Sequence, residues 1–545
     1  MKSVEIFEQI ISSRLGPKEK DIFLKPDYQR DLNNPLLMPD MKVALDRIKK
    51  AIINHERVCI YGDYDIDGIS ATALLYEVFI KLGLSVSCYI PNRFTEGYGI
   101  NRSALEDIRE EGTGLVVSVD CGTVSYDEIK FANNIGLDVI VTDHHEPGDR
   151  LPPAIAVINP KRKDSQYPFK ELAGVGVAFK LAQALFHEYD IKEGLEKWLL
   201  DLVALGTVCD AVNLIGENRA LVFWGLRVMR LGRRPGINAL ADVSSLEISS
   251  LDSSNIAFSL GPRLNAPGRM GSARLSLELL LCQDKKNAEK YVKEINSLNE
   301  ARRSDQKQAT QEALKKIEKT EDKVIVVFDD NWSDGIIGIV ASRIVEEVKK
   351  PAFVFSINGK LAKGSARSFG DFNLALAFKQ NEIAKLLSRG GGHDYAAGCT
   401  IQASQLTNFK RAINEHYEKL GIEDQDQKNF LRPVADIEIN SVEGLDMDLV
   451  SFLEILSPFG QGNPFPIIKI NGLYMESLNF MGSKDHCRII SRDKRGEKSE
   501  MICFGVAQKI NKRLKQNPVF SAWVEVDKNT YRGETKVQVK IVDLE

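Results

Sequence analysis

The chain of 545 residues is too long for one domain and predicts three or four. Its hydrophobic content of 43% and charged content of 27% are typical of a soluble globular protein, and the net charge of −4 excludes nucleic-acid binding through a generally basic surface. No apolar run is long enough to span a membrane, and the first residues, MKSVEIFEQI, lack a signal-peptide core. Eight single cysteines without a C-x-x-C pair indicate reduced thiols, so we expect a cytoplasmic protein with no membrane partner.

The first half of the chain alternates predicted strands and helices. Residues 1–50 are expected to form a polar N-terminal extension that ends in a helix, MKVALDRIKKAIINH. The short apolar runs RVCIYG, LVVSVD and LDVIVTD predict buried strands with helices between them. Apolar strands separated by helices are typical of a parallel sheet covered on both faces. Residues 51–285 are therefore predicted to form an α/β domain with a mainly helical second part.

The second half of the chain contains three predicted segments. Residues 286–322 are rich in Lys, Glu, Ala and Gln and lack Pro and Gly, which predicts one long solvated helix between two domains. Residues 323–428 predict a second, smaller α/β domain that includes a glycine-rich stretch, LSRGGGHDYAAGCTI. Strand-like runs in residues 429–545, such as FPIIKING and PVFSAWVEV, predict a small β-domain.

Three carboxylates crowd the segment CIYGDYDIDGIS, residues 59–70. Asp63, Asp65, Asp67 and Gly68 match the start of an EF-hand calcium loop, but the twelfth position, which needs a bidentate Glu, is Leu74. The flanking apolar run and the amphipathic segment after it indicate a strand, a loop and a helix instead. Because crowded like charges repel, the segment favours a bound cation.

Polar residues follow the ends of several predicted strands, namely Asp65, Asp67, Asp120, Asp143, His144 and His145. Since the carboxyl ends of parallel strands share one edge of a sheet, these side chains are expected to converge. The helix DLVALGTVCDAVNL adds Asp201 and Asp210 as candidates. Carboxylates with a minority of imidazoles suit Mn²⁺ or Mg²⁺ rather than zinc, and the set is large enough for two ions that activate water for displacement at phosphorus. Asp63 is expected to orient the loop.

The order of these motifs resembles a known superfamily. GDYDIDG, VDCG, TDHH and GTVCDAV resemble the four motifs of the DHH phosphoesterases, and GGGHDYAAG resembles the glycine-rich motif of their DHHA1 domain. IPNRFTEGYG, AGVGVAFKLA, GPRLNAPGRM, GIIGIVASR, KGSARS and PFGQGNPFP are similar to the RecJ family of single-strand-specific DNA exonucleases. The resemblance extends over about residues 55 to 470. It implies a parallel-sheet DHH domain, a long connecting helix, a DHHA1-like α/β domain and a C-terminal β OB-fold.

The same resemblance implies an activity and partners. The activity is the hydrolysis of single-stranded DNA from its 5′ end to mononucleotides, with two Mn²⁺ or Mg²⁺ ions, in DNA repair and recombination. The partners are single-stranded DNA and, for a repair nuclease, a helicase and a single-strand-binding protein, with a monomeric chain. Two alternatives are a DHH phosphodiesterase for short oligonucleotides or cyclic dinucleotides, which the long connecting helix disfavours, and a non-catalytic DNA-binding scaffold, which the intact acidic set disfavours.

Site residues are carried over by motif. The implied metal ligands are Asp65, Asp67, Asp120, His144 and Asp210, the last preferred to Asp201 because it lies in GTVCD. Catalytic roles beside the metals are assigned to His145, His393 and Asp63. The residues expected to contact DNA are Arg93, Tyr98, Arg263, Asn265, Arg269, Ser365, Arg367, Gly391 and Gly392.

Two positions depart from the family pattern. Many DHH proteins have His at the position of Tyr61. Because tyrosine is a poorer metal ligand than histidine, one metal is expected to be held more weakly or through water. Many RecJ sequences also have His at the position of Ser333, in NWSDG. The pair Gly174 and Gly176 in AGVGVAF indicates either close packing of a helix or close approach of the substrate.

Overall fold

The structure, a computed structural model, describes residues 2–97, 99–318, 320–422, 432–482, 485–531 and 534–545. Its strands are β1 Arg57–Gly62, β2 Ser85–Tyr89, β3 Thr113–Val119, β4 Asp138–Thr142, β5 Ala156–Ile158, β6 Ile325–Asp329, β7 Ala352–Asn358, β8 Leu361–Arg367, β9 Leu387–Gly392, β10 Ala396–Gln402, β11 Ile437–Ile439, β12 Ile468–Met481, β13 His486–Arg492, β14 Lys498–Cys503, β15 Val519–Tyr531 and β16 Glu534–Leu544.

The helices of eight or more residues are α1 Ser3–Arg14, α2 Met41–Ile53, α3 Ile66–Lys81, α4 Arg102–Glu110, α5 Tyr126–Asn134, α6 Gly174–Glu188, α7 Leu200–Cys209, α8 Gly216–Met229, α9 Pro235–Val243, α10 Arg274–Leu281, α11 Lys285–Ile317, α12 Ile337–Val348, α13 Leu406–Lys419, α14 Met447–Glu454 and α15 Ala507–Gln516. Among the described helices, none is both long enough and apolar enough to cross a membrane.

The chain divides into two compact units. The larger unit comprises Asn33–Val212 and Trp224–Asn429. The smaller unit comprises Met1–Leu32, Asn213–Phe223 and Phe430–Glu545, so that it is assembled from both ends of the chain and a short internal segment.

The first sheet of the larger unit is parallel throughout, with the strand order β2-β1-β3-β4-β5. Its central strands are buried on both faces, which explains why β1, β3 and β4 are almost continuous apolar runs. These three strands are neighbours in the sheet, so the loops that follow Gly62, Val119 and Thr142 lie at one edge. That edge carries the candidate site.

The second sheet of the larger unit has the order β6-β7-β8-β10-β9, in which only the β6–β7 pair is parallel. The 33-residue helix α11 precedes it. This helix is polar on most of its surface, but Ala309 and Ala313 join a buried cluster with Trp332 and Val340. The C-terminal part of α11 is therefore anchored to the second α/β domain through a narrow stripe of small apolar residues.

The smaller unit is a β-barrel with the strand order β11-β12-β13-β14-β16-β15, closed by pairing of β12 with β15. Helix α15 lies between β14 and β15. Helix α1 contributes Ile6, Phe7, Ile10 and Ile11 to the barrel core. Residues 1–32 are thus an integral part of this unit and differ from the polar extension expected for residues 1–50, because four apolar side chains form a narrow buried stripe in an otherwise polar segment.

A buried arginine joins the three segments of the smaller unit. The guanidinium of Arg219 donates hydrogen bonds to the carbonyl oxygens of Leu456 (2.9 Å), Ser457 (2.9 Å) and Phe23 (3.1 Å). It also lies 3.7 Å from the centroid of the Phe23 ring. Burial lowers the pKa of Arg219 to about 9, so these carbonyls and the ring stabilise a charge that has lost most of its water.

Candidate metal centre

The loop between β1 and α3 carries the first three carboxylates. Asp65 caps α3, since its Oδ1 accepts hydrogen bonds from the backbone N–H groups of Asp67 (2.9 Å) and Gly68 (3.2 Å). A Cβ on Gly68 would lie 2.6 Å from the backbone nitrogen of Asp63. Only glycine lets the helix begin this close to the end of the strand, which is how the chain brings its carboxylates together.

Asp67 is held from the opposite side by helix α6. Its carboxylate accepts hydrogen bonds from the backbone N–H groups of Gly174 (2.6 Å) and Val175 (2.8 Å), where the helix dipole favours negative charge. Burial and the charge of Asp65 nevertheless raise the pKa of Asp67 to about 7. The carboxylate of Asp67 is therefore held in place, although its negative charge remains electrostatically unfavourable.

Asp120 follows β3 and has a left-handed backbone, with φ of +60°. Its N–H donates to the carbonyl of Thr142 at the end of β4 (2.9 Å), which holds the strained residue between two strand ends. A Cβ on Gly174 would lie 2.5 Å from Asp120 Oδ1. The missing side chain at position 174 therefore makes room for this carboxylate, and close packing explains that glycine.

His144 is the point on which three of the carboxylates converge. Its Nε2 lies 3.2 Å from Asp120 Oδ1, 3.6 Å from Asp210 Oδ2 and 3.8 Å from Asp67 Oδ2. Burial, together with the charge of His145, lowers the pKa of His144 to about 3. The ring is therefore neutral at physiological pH, which is the form that ligates a metal.

His145 is positioned by Asp143, a residue that the sequence placed at the strand end without a role. The carboxylate of Asp143 contacts His145 Nδ1 at 2.8 Å and accepts from the backbone N–H groups of His144, His145 and Thr123. Although burial alone would raise the pKa of Asp143, the hydrogen bond to His145 lowers it. The same contact raises the pKa of His145 against the effect of burial. In the sequence, the position of Asp143 directly before the two histidines was the signal that could have indicated this role.

The donor set fits divalent cations. Within this cluster, four buried atoms have no hydrogen-bond partner in the described part of the chain: Asp63 Oδ1, Asp120 Oδ1, His144 Nε2 and Asp210 Oδ2. Three groups have ligand atoms within 4.8 Å of one another: Asp63 with Asp65 and Asp120, Asp67 with His144 and Asp210, and Asp120 with His144 and His145. Because oxygen ligands predominate and Asp120 is shared, the arrangement suits a pair of hard or borderline cations such as Mn²⁺ or Mg²⁺.

Mutual repulsion in the cluster would be relieved by positive charge. Burial and neighbouring carboxylates raise the pKa of Asp63 and of Asp120 well above the ordinary range. Burial and the charges of Asp67 and Asp65 raise the pKa of Asp210 to about 9. Asp63 therefore has the environment of a ligand, whereas the sequence assigned it a supporting role in the loop.

Asp201 and Tyr61, which the sequence also suggested as candidates, lie in environments unlike that of the carboxylate cluster. Asp201 forms a buried salt bridge with Arg234, at 2.8 Å from the Nε atom. Of the two aspartates Asp201 and Asp210, it is Asp210 that lies beside His144. Tyr61 is fully buried, stacks on Tyr89 and donates to the carbonyl of Gly99 (3.1 Å). Tyr61 is therefore a core residue whose hydroxyl already has a partner, and the prediction that one metal is held more weakly or through water stays a prediction.

Some of the predicted DNA-contacting residues line a cavity of about 590 Å³ in the larger unit. Arg93, Ser365 and Gly391 are among its lining residues, together with Arg389 and Gly398. A Cβ on Gly391 would meet nothing within 4 Å, so the backbone at this residue is open. We refer to this space as the glycine cavity.

Arg367, Arg269 and Asn265 lie in partly buried settings. Arg367 Nη1 lies 3.4 Å from Ser365 Oγ and donates to its neighbour's carbonyl. Arg269 donates to the carbonyl of Gly335 (3.3 Å), and burial together with the charge of Arg93 lowers its pKa to about 10. Asn265 lies between two short helices and is half-buried.

Arg263, His393 and Ser333 are not among the residues that line the glycine cavity. Arg263 lines a different cavity, beside α11. His393 is exposed, and its backbone N–H donates to Ala396, directly after Gly392 with its φ of +148°. The hydroxyl of Ser333 accepts from the N–H of Gly335 at 3.2 Å. Tyr98 lies outside the described residues.

Three regions of the chain match known domains. Residues 57–207 match the DHH family, N-terminal domain, residues 321–419 match the DHHA1 domain, and residues 435–543 match the RecJ OB domain. With the carboxylate and histidine cluster at the sheet edge, these matches define the class as a DHH-type phosphoesterase fold followed by an OB domain. The predicted fold class is confirmed.

The relatives identify the family within that class. The chain is 38% identical over 544 residues to the single-stranded-DNA-specific exonuclease RecJ of Bacillus subtilis, covering 98% of this chain and 66% of that protein. It is 33% identical over 537 residues to the RecJ of Dickeya dadantii, covering 94% and 92%. Crystal structures of Thermus thermophilus RecJ are similar in fold, one with Mn²⁺ (TM-score 0.82, 28% identity, 99% of this chain and 78% of that one) and one with Mg²⁺ (0.75, 25%, 99% and 77%). The chain belongs to the RecJ family.

Proposed function

We propose that this protein hydrolyses single-stranded DNA from the 5′ end and releases mononucleotides, with Mn²⁺ or Mg²⁺ as cofactor. The observation that carries the proposal is the convergence of buried carboxylate and imidazole atoms without hydrogen-bond partners in the described structure. Relatives named single-stranded-DNA-specific exonuclease support the substrate, and the RecJ crystal structures with Mn²⁺ and with Mg²⁺ support the cofactor.

The ligands that would hold the ions come from five elements or loops of the larger unit: Asp63, Asp65, Asp67, Asp120, His144 and Asp210. When bound, two divalent ions supply a nucleophilic water at neutral pH and stabilise negative charge on the phosphoryl group. The peptide N–H groups of α6 hold Asp67 in position, and the low pKa of His144 keeps its ring neutral, the form in which a ring nitrogen can ligate a metal.

His145 and the glycine cavity would act on the substrate. The raised pKa of His145 favours a cationic ring that can donate a hydrogen bond to the scissile phosphate, while Asp143 fixes its Nδ1 side. Arg93 and Ser365 are suited to the 5′-terminal phosphate, and the open backbone at Gly391 would let the strand approach closely. His393 is proposed to contact the same phosphate region from the end of β9.

The cellular setting follows from this activity. We expect a cytoplasmic monomer that acts in DNA repair and recombination, where a helicase and a single-strand-binding protein would present its substrate. The full acidic set supports a catalytic role over a scaffold role.

The direct test is Asp120→Asn, which keeps the shape of the side chain and removes its charge. On a single strand labelled at its 3′ end, with Mn²⁺, we expect the rate of shortening to fall by about 10²-fold or more, because Asp120 is shared between groups of ligands. Asp107→Asn, an exposed position on α4, is the matched control and should retain the wild-type rate. Wild-type activity in the Asp120 variant would refute the assignment of the metal centre.

A further inference from the structure

The connection between β2 and α4 carries Arg93 to the glycine cavity. Arg93 is one of the residues that line that cavity, and its guanidinium lies 5.2 Å from the centroid of the Tyr64 ring. Tyr64 stands between Asp63 and Asp65 in the sequence, so Arg93 also contacts the loop of the metal centre. The place of this guanidinium depends on how the backbone around Arg93 is held.

Glu96 closes the turn that contains Arg93. The N–H of Glu96 donates to the carbonyl of Asn92 (2.8 Å), and Glu96 Oε2 accepts from the N–H of Asn92 (2.6 Å). Asn92 Oδ1 in turn accepts from the N–H of Phe94 (2.9 Å). We refer to residues 92–96 as the Arg93 turn. Because a backbone and a charge-assisted hydrogen bond join its two ends, the turn holds Arg93 at its centre.

The other oxygen of Glu96 fastens the turn to the first sheet. Oε1 accepts from the hydroxyl of Tyr89, the last residue of β2, at 2.6 Å, and from Nδ2 of Asn101 at 2.9 Å. Although burial alone would raise the pKa of Glu96, the hydrogen bonds from Asn92, Tyr89 and Asn101 lower it. The carboxylate is therefore charged at neutral pH, the form in which it accepts all three hydrogen bonds.

Asn101 and Tyr61 extend these hydrogen bonds into the core. Asn101 Oδ1 is the N-cap acceptor of α4, which leaves the amide N–H groups of Asn101 to donate to Glu96 and to the hydroxyl of Tyr61 (3.1 Å). The hydroxyl of Tyr61 donates to the carbonyl of Gly99 (3.1 Å), and its ring stacks on that of Tyr89. The Arg93 turn is thus connected to β1, to β2 and to the start of α4.

The charge of Glu96 is needed for this arrangement. Three donors converge on its two oxygens, and a Gln at this position would place an N–H₂ group against at least one of them in either orientation. Glu96 belongs to none of the groups of potential metal ligands found among the described residues. Its hydrogen bonds hold the backbone and do not contribute to the metal centre.

We propose that Glu96 is a positioning residue that holds the Arg93 turn, so that the guanidinium of Arg93 can bind the 5′-terminal phosphate of the strand. The proposal rests on the proposed function, in which Arg93 and Ser365 contact that phosphate. Tyr61 acts in the same way at one further remove, since its hydroxyl fixes Asn101, which donates to Glu96.

The experiment compares two single strands that differ only in the 5′ end, which is a phosphate or a hydroxyl. The full chain is used in EDTA, so that no strand is hydrolysed, and the Kd of a short oligo(dT) labelled at its 3′ end is measured by fluorescence anisotropy. The quantity compared is the phosphate preference, the Kd of the hydroxyl strand divided by that of the phosphate strand. The variants are Glu96→Gln, Arg93→Gln and the double variant, with Glu106→Gln, an exposed position on α4, as the matched control.

We expect Glu96→Gln to lower the phosphate preference by about tenfold and to leave the Kd of the hydroxyl strand near that of the control, because only the contact to the terminal phosphate is misplaced. Since Glu96 acts through Arg93, the double variant should have the preference of Arg93→Gln alone. A wild-type preference in Glu96→Gln would overturn the proposal. Equal weakening of both strands, the result of a general structural disturbance, would overturn it as well.

Tyr89→Phe is the second variant, because it removes one hydrogen bond to Glu96 and keeps the aromatic ring. We expect its phosphate preference to fall by about threefold. If Glu96→Gln does not fold, Tyr89→Phe decides, and a wild-type preference in it overturns the proposal. Equal affinities of the wild type for the two strands would overturn both the assignment of Arg93 to the terminal phosphate and the proposal that rests on it. Shortening of DNA with Mn²⁺ is measured separately, and its absence would overturn the proposed hydrolysis alone.

Discussion

At the residue scale, the carboxylates of the metal centre differ in how the protein holds them. Asp65 caps a helix, Asp67 is bound by two peptide N–H groups of α6, and Asp63 is buried with an oxygen that has no partner in the described structure. The sequence predicted their convergence because strand ends share a sheet edge. The sequence could not show how each carboxylate is held, because the hydrogen-bond donors to Asp67 come from a helix more than a hundred residues away.

Asp210 gives a residue-scale prediction about stability. Burial and the charges of Asp67 and Asp65 raise its pKa to about 9, so the negative charge is unfavourable in the metal-free protein. An acid whose pKa is raised on folding destabilises the native state as pH rises above the unfolded value. We therefore expect Asp210→Asn to stabilise the metal-free protein at pH 7.5 by about 1 kcal/mol or more, measured by thermal unfolding in EDTA.

The same variant should lose the stabilisation that Mn²⁺ gives to the wild type, because it lacks one ligand. Asp242→Asn, an exposed position on α9, is the matched control and should change neither result. An Asp210 variant that Mn²⁺ stabilises as strongly as it stabilises the wild type would contradict the assignment of Asp210 as a ligand.

Tyr61 shows what a sequence motif leaves open at the scale of one residue. The family resemblance implies a histidine ligand at this position in many relatives, which suggested a weakened metal site. In the structure, its ring packs in the core beside Tyr89 and Cys121, and its hydroxyl accepts a hydrogen bond from Asn101 (3.1 Å) and donates to Gly99. The direction of a side chain at the end of a strand depends on which face the neighbouring helices cover, and this is a long-range property.

At the scale of elements, helix α6 sets the shape of the metal centre. The pattern G-x-G at the start of α6 allowed two interpretations, close packing of the helix or close approach of the substrate. In the structure, its two glycines have different neighbours. A Cβ at Gly174 would lie 2.5 Å from Asp120, whereas one at Gly176 would lie 3.3 Å from a side-chain atom of Leu172. The first contact is with a rigid, charged group of the site, and the second is with a flexible apolar side chain.

This difference predicts opposite results for two alanine variants on one helix. Gly174→Ala should displace Asp120 and reduce Mn²⁺-dependent nuclease activity by about 10²-fold, because a small misplacement of a catalytic group has a large effect on rate. Gly176→Ala should keep near-wild-type activity, with a stability change within about 1 kcal/mol. The measurement is the rate of strand shortening, with circular dichroism to verify folding. Equal activities of the two variants would contradict the role assigned to α6.

Long elements were easier to predict than short ones. The composition of residues 286–322 predicted a continuous helix, and the structure has α11 at Lys285–Ile317. The same composition suggested a purely solvated helix, because its small buried residues, such as Ala309 and Ala313, resemble ordinary helix formers.

At the scale of the whole molecule, the order of domains was readable from strand and helix periodicity, and the matches to three known domains agree with it. The sequence did not show which segments form the smaller unit, because α1 packs into the core of the barrel formed by the last hundred or so residues. Sequence periodicity reports which residues are buried, but it does not report which distant segment buries them.

The central claim is that the metal centre makes this chain a 5′→3′ exonuclease. It is tested most directly by degrading one single-stranded oligonucleotide, with Mn²⁺, labelled at either end in parallel reactions. The account predicts that the 5′ label is released as a mononucleotide from the earliest time points, while the 3′ label passes through progressively shorter strands. Omission of Mn²⁺ should stop both reactions. A ladder of shortened strands from the 5′ label, with immediate release of the 3′ label, would contradict the account.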